Sequence, residues 1–344
     1  MKNSERHIRL AITVAATLLV ATASFAQKKK VSQQQKWEQR DYQTYSVIDN
    51  IGGKTIGFSR DSGVKIILTD GYAFKDLNRN GKLDVYEDWR QPYEKRAEDL
   101  AKQLSIEEIA GLMLYSKHQS IPATDRTFGV STYNGIDFKA SGAKPWDLSD
   151  NQKQFLVEDN LRHVLITTVE SPEIAARWNN TIQAFVEGIG HGIPTNNSSD
   201  PRHSARADSE FNAGGGGEIS MWPGSLGMAA TFSPDLMFMH GAIASHEYRM
   251  LGFTTALSPQ VDIATEPRWM RFSGTFGEDP VLAADMARAY CDGFQSSLIK
   301  KGWSEYSVNA MVKHWPGGGS CESGRDAHYG FGKFSVFPNN NLKL

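Results

Sequence analysis

From residue 164 onward, apolar and polar positions switch between two periods. Residues 164–169, Val-Leu-Ile-Thr-Thr-Val, form a β-branched run of strand length. Ser171-Pro172-Glu173 then opens a helix, with Ser as cap and Pro in the first turn, and an apolar stripe carries it to about residue 187. The pattern recurs. Residues 192–197 read as a second extended segment and 226–231 as a third strand, and Ser233-Pro234-Asp235 starts a helix to about 251. Residues 254–263 are the next strand, Glu278-Asp279-Pro280 opens a helix to about 300, and 308–315 is a further strand. An earlier apolar segment, 111–115, brings the count to six. Upstream, 66–74 reads as strand and turn, 85–112 has helical composition, and Ser105-Ile106-Glu107-Glu108 is a capping box. Residues 137–150 and the glycine-rich 198–217 read as loops. Strands alternating with helices of this length predict an α/β fold with a parallel sheet. Six strands suffice for an open sheet, whereas a closed (β/α)₈ barrel needs eight, and residues 338–344 carry no element-stopping signal.

The first 26 residues have a different logic. Lys2, Arg6 and Arg9 precede an apolar run at 10–20, and Ser24-Phe25-Ala26 offers small residues where a signal peptidase reads. The expectation is a signal peptide at 1–26 cleaved before Gln27. A polar, Lys/Gln-rich tether and extension follows at 27–71, with the tether proper at 27–40, and the main fold occupies 72–344. The mature protein is then exported, periplasmic or secreted. No cysteine follows the apolar run, which argues against lipid attachment, and no other segment is long enough to span a membrane. A net charge of −2 gives no basic footprint, so neither a nucleic-acid partner nor a membrane partner after cleavage is expected. Two cysteines, Cys291 and Cys321, could pair in an exported protein, and the sequence leaves this open.

Residues 76–87 match the calcium-loop pattern D-x-[DN]-x-[DN]-G-x₅-E in full. Asp76, Asn78 and Asn80 would offer oxygens, and Gly81 permits the turn. Lys82 would give its backbone carbonyl, Asp84 would act directly or through water, and Glu87 would close the site with two oxygens. The flanking segments do not complete a helix–loop–helix, so the plainer alternative is an Asn/Asp/Gly turn without metal. A structural calcium is expected here; no cofactor for catalysis is.

Polar residues also collect at the predicted strand ends: Asp200, Asp262 with Arg268 and Arg271 beyond it, and Lys313-His314. A carboxylate, a guanidinium, an ammonium and an imidazole around one mouth suit a polyhydroxylated ligand, because each can grip paired hydroxyls. Trp222, Trp269 and Trp315 could supply flat faces for a sugar ring, although Trp269 reads better as core.

Three ordered motifs carry a resemblance. Glu266-Pro267-Arg268-Trp269-Met270-Arg271, then Thr275-Phe276-Gly277-Glu278-Asp279-Pro280, then Lys313-His314-Trp315-Pro316-Gly317 resemble successive motifs of glycoside hydrolase family 3. Residues 105–113 and Gly192-Ile193-Pro194 are similar to its earlier landmarks, so the resemblance covers about 72–337. It implies a TIM-like barrel followed by an α/β sandwich domain, and hydrolysis of terminal non-reducing β-D-glucosyl or related residues with retention. It also implies that Asp200, Arg271, Lys313 and His314 bind the hydroxyls of the terminal sugar, with a β-linked oligosaccharide or glycoside as substrate. Around Asp200, Ser198-Ser199-Asp200-Pro201-Arg202-His203 departs from the family's usual pattern. Retaining chemistry needs two carboxylates about 5–5.5 Å apart. In the family the nucleophilic Asp lies on a later strand and the acid/base in the second domain. Both are expected beyond Leu344, which would leave an incomplete barrel of about six strands, no catalytic carboxylate pair within the chain, and no hydrolysis by the chain alone. Asp326-Ala327-His328 resembles the Asp–His pair of family members that cleave β-N-acetylhexosaminides. Two other classes are a non-catalytic glycan-binding fragment and, carried by 76–87 alone, a calcium-dependent adhesive module.

Overall fold

The computed structural model describes residues 34–124, 129–204, 218–297 and 300–314, together with 317–319, 321–329, 334, 335, 337 and 339. The signal-peptide reading and Trp315 fall outside the described residues. Three antiparallel strands come first: β1 (Trp37–Asp41), β2 (Tyr45–Asn50) and β3 (Thr55–Ser59). The tether reading of residues 37–40 is therefore corrected. These residues are polar because β1 is an edge strand open to water on most of its length, not because they are unstructured.

A hairpin follows, β4 (Lys65–Thr69) and β5 (Tyr72–Asp76), joined by Asp70-Gly71. Both turn residues have positive φ, 56° and 83°, as a two-residue turn matching strand twist requires. Residues 85–92 do not continue the expected helix. It splits into α1 (Tyr93–Gln103) and α2 (Ile106–Leu112), the latter opened by the Ser105–Glu108 capping box.

The parallel sheet consists of β6 (Gln119–Ile121), then, past the small hairpin β7 (Thr132–Tyr133) and β8 (Ile136–Asp137), β9 (His163–Val169), β10 (Asn196–Ser199), β11 (Thr255–Ala256) and β12 (Asn309–Ala310). Their spatial order, β6-β9-β10-β11-β12, is the chain order, and every neighbouring pair is parallel. Each strand is thus added on the same side, the winding of a barrel wall rather than of a doubly wound sheet. The helices between are α3 (Phe138–Ser141), α4 (Asp150–Val157), α5 (Pro172–Glu187), α6 (Ser225–Ala229), α7 (Pro234–Leu251) and α8 (Pro280–Gln295).

Several strand expectations need correcting. Residues 226–231 are not a strand but lie largely in α6, whose Met228 and Ala229 are buried; a short apolar run does not distinguish strand from buried helix. The extended segment placed at 192–197 starts four residues too early, because β10 (Asn196–Ser199) is polar. The segment at 111–115 ends α2, and the strand is β6 instead. The long strands at 254–263 and 308–315 are pairs of residues in β11 and β12, with one further bridge between Gln260 and Lys313. The described residues hold five parallel strands rather than six.

One apolar core unites the sheet with its helices through Trp178 and Ile182 of α5, Val164 and Ile166 of β9, Met237 and Tyr248 of α7, and Met286 and Phe294 of α8. The crossing of α7 and α8 rests on two glycines. A Cβ on Gly293 would lie 2.5 Å from the Phe238 carbonyl oxygen, and one on Gly241 would lie 2.8 Å from that of Tyr290. Gly293→Ala is therefore expected to destabilise the fold by about 1–3 kcal/mol despite alanine's better helix propensity. A denaturant titration checks this; an unchanged or higher midpoint would contradict the tight crossing.

Candidate active site

β10, Asn196-Asn197-Ser198-Ser199, is polar yet largely buried, and its side chains are tied to the scaffold. Asn197 Nδ2 donates to Asn179 Oδ1 at 2.8 Å, Ser198 Oγ to the Val164 carbonyl at 3.0 Å, and Arg202 Nε to Ser199 Oγ at 2.6 Å. The Arg202 guanidinium, buried over Phe253, also donates to the carbonyls of Ile166 and Thr167 at 3.1 and 3.0 Å. These bonds fix the end of β10 against β9 and thereby place Asp200.

The Asp200 carbonyl accepts from Tyr248 Oη at 2.5 Å, and its carboxylate accepts from Lys313 Nζ at 2.8 Å. The two side chains of this ion pair are 14% and 17% exposed, enough shelter for the pair to matter. Lys313 is held in turn by backbone bonds to Pro259 and Val261. The Lys313–His314 peptide is cis.

His314 joins the rest. Arg271 Nη1 lies 2.9 Å from His314 Nε2, and His314 Nδ1 lies 2.9 Å from Asp262 Oδ2. A guanidinium only donates, so Nε2 accepts and Nδ1 carries the proton toward Asp262. The Asp262 side chain is fully enclosed, and its other oxygen accepts from the backbone N–H groups of His314 and Gly318. Burial works against its charge, but the His314 ring and these N–H groups outweigh burial and hold its carboxyl below the ordinary value. Asp200, Arg271 and Lys313 line one cavity with His203, Gln260 and Met270, and His314 stands behind Arg271. Asp200, Arg271, Lys313 and His314, expected from the sequence to share one site, are therefore brought together.

Other expectations separate. Arg268 pairs bidentately with Glu266 at the surface, outside the cluster. Trp269 is buried, and its Nε1 donates to Asp326 Oδ2 at 2.7 Å. Trp222 packs edge-on to His240 with ring centroids 5.2 Å apart. Asp326 contacts the His328 ring through its remaining oxygen. Cys291 and Cys321 are not joined, and Cys321 Sγ donates to the Gly318 carbonyl at 3.1 Å. Of the calcium-loop residues, Asp76 ends β5 and Asn78, Asn80, Lys82, Asp84 and Glu87 follow it; none of them lines the cavity of Asp200 and Lys313.

Two residues were not foreseen in this role. Asp262 was noted at a strand end, but not as the group that orders His314. His118 lies next to β6 with its Nδ1 2.7 Å from Thr167 Oγ1, and it feels the charges of Asp200, Lys313 and His328. Burial pushes its pKa down against the pull of Asp200, which favours the neutral ring. A lone histidine before a three-residue strand leaves no signal in a hydrophobic pattern.

A family profile described as Glycosyl hydrolase family 3 N terminal domain matches residues 147–340. A periplasmic beta-glucosidase/beta-xylosidase from Dickeya chrysanthemi is 40% identical over 283 residues, which is 82% of this chain and 40% of that protein. A beta-glucosidase C from Emericella nidulans is 34% identical over 271 residues, 78% of this chain and 40% of its own. The chain thus spans about 40% of the length of these curated relatives. A solved β-glucosidase structure from Erythrobacter marinus superposes with a TM-score of 0.51 at 23% identity, over 71% of this chain and 28% of that one, a likeness of fold.

The lowered Asp262 carboxyl has a stability consequence. Its stabilising contribution is fully present above the ordinary value of 3.8 and is lost as pH falls through the lower folded value. Asp262→Asn is expected to cost about 1.5–3 kcal/mol at neutral pH, where a charged hydrogen-bond acceptor is replaced. It should also flatten the acid limb of a plot of unfolding midpoint against pH. A variant that keeps the wild-type acid limb would show that Asp262 does not carry it.

Proposed function

The chain belongs to glycosyl hydrolase family 3, and from that premise we propose that its strand-end site grips the terminal sugar of a β-linked glucoside or xyloside. The bond to that sugar is cleaved with retention by the whole protein. The observation that carries this reading is the convergence of Asp200, Lys313, Arg271 and His314. A vicinal diol presents a donor and an acceptor on adjacent carbons, and Asp200 with Lys313, 2.8 Å apart, offers the complementary pair. Arg271 adds a fork of donors for the next hydroxyl. Asp262 touches no sugar in this reading; it sets the His314 tautomer and thereby the direction of the His314–Arg271 bond.

Among the described residues, neither site carboxylate suits the nucleophile or the acid/base. Asp200 is committed to Lys313, and Asp262 is enclosed behind His314. Both are assigned to binding and positioning. Export is part of the proposal, supported by the leader-like composition of residues 1–26 and by the periplasmic relative. A second reading rests on the contact between Asp326 and His328. A carboxylate that orients an imidazole can serve as a general acid/base, which would favour a β-N-acetylhexosaminide.

Calorimetry with glucose tests the grip. Asp200→Asn and Lys313→Ala should each weaken binding by about 10–100-fold, the worth of one charge-assisted hydrogen bond. Equal affinity in both variants would remove the assignment. Turnover separates the readings: this chain should bind glucose without sustained hydrolysis of an aryl β-glucoside, whereas the second reading requires that the whole protein release an aryl β-N-acetylglucosaminide in a step that His328→Ala abolishes.

A further inference from the structure

The segment between β5 and α1 is a closed loop with one inward-facing carboxylate oxygen that has no hydrogen-bond partner among the described residues. Asp76, its first residue, is 1% exposed. One carboxylate oxygen accepts from the Gly81 N–H at 3.0 Å, which turns the group across the loop's interior, and the other, Oδ1, is buried without a hydrogen-bond partner. A buried carboxylate oxygen left unpaired costs a substantial desolvation penalty unless a cation supplies the missing partner. The loop's arginine does not supply it, because Arg79 turns its guanidinium toward the carbonyls of Ser62 and Glu187.

The rest of the loop brings further oxygens to the same interior. Glu87, 4% exposed, closes the loop by accepting from the N–H groups of Leu77 and Asp84 at 2.7 and 3.0 Å. Asp84 Oδ2 accepts from the amides of Asn78 and Asn80 at 2.6 and 2.7 Å. The acidic side chains do not by themselves gather into a metal cluster among the described residues. A hard divalent cation, however, also takes amide and backbone oxygens, and a side-chain amide turns its oxygen inward by a half-rotation. Gly81, at φ 76°, allows the reversal that puts residues 76 and 87 on the same side.

We infer that residues 76–87 bind one calcium ion, with Asp76 Oδ1 as the inward ligand and Asn78, Asn80, the Lys82 carbonyl, Asp84 and Glu87 completing an oxygen shell. The ion would act as a clamp. The loop lies where the N-terminal sheet meets the parallel domain: Leu77 packs on Gly192, just before β10, Arg79 reaches the end of α5, and Lys75 pairs with Glu187 at 2.8 Å.

The test uses the whole chain stripped with a chelator, then titrated with terbium chloride and with calcium chloride. Terbium should show sensitised emission from nearby Tyr86 and Trp89, saturating at one equivalent and displaced by calcium. Calcium at about 100 times its dissociation constant should raise the unfolding midpoint by ~5 °C. Asp76→Asn should abolish both effects while keeping the far-ultraviolet circular dichroism of the wild type, and Asp84→Asn, at a less buried position, should weaken calcium binding at least tenfold. A folded wild type that gives no emission and no midpoint shift at millimolar calcium would overturn the inference. So would binding that survives unchanged in Asp84→Asn.

Discussion

A carboxylate shut away from water must be compensated where it stands, and in this chain that demand falls on Asp262. Its side chain has no exposure, and its compensation comes from one ring N–H and two backbone N–H groups. Because the ring N–H is used up there, the opposite nitrogen of His314 is left as an acceptor, and Arg271 meets it. The orientation of the guanidinium at the cavity mouth thus follows from an electrostatic requirement behind it. The glycine run after His314 serves the same requirement. A side chain at Gly318 would come within 3.3 Å of Asp262 Oδ1, so a bulkier residue there would crowd the N–H that Asp262 needs.

How much of this was legible in the sequence depended on whether a feature was local. The caps of α5, α7 and α8, Ser171, Ser233 and Asp279, each followed by proline in the first turn, gave those helices their start points, and each cap accepts from the N–H three residues on. The Lys313-His314 pair and Arg271 were identifiable because their motifs are contiguous. β10 was misplaced because its apolar neighbours suggested an earlier strand, whereas the real one buries asparagines and serines. Asn197 Nδ2, Ser198 Oγ and Ser199 Oγ find partners on α5, on β9 and in Arg202, 18, 34 and 3 positions away, so that only the last is local in sequence. The helix α6 was misread for a related reason: five residues are too few for periodicity to decide, and the surrounding core did so.

The N-terminal strands illustrate a further limit. β1 is polar on nearly every position, as a linker would be, and what makes it a strand is its register with β2 from Trp37 opposite Asn50 to Asp41 opposite Ser46. Pairing is a property of two segments, and composition of one segment does not report it. In contrast, the Asp70-Gly71 turn of the next hairpin is visible at once, because only its own two residues must accept positive φ.

The contact between Asp200 and Lys313 spans 113 positions of sequence. Lys313 lies three residues beyond β12, which is the last of the five described strands in chain order and sits at the edge of their sheet. The mouth therefore exists only while the segment after β12 is docked beside the segment after β10. Docking of that edge and formation of the ion pair are then linked, so whatever binds the paired residues stabilises the edge by mass action.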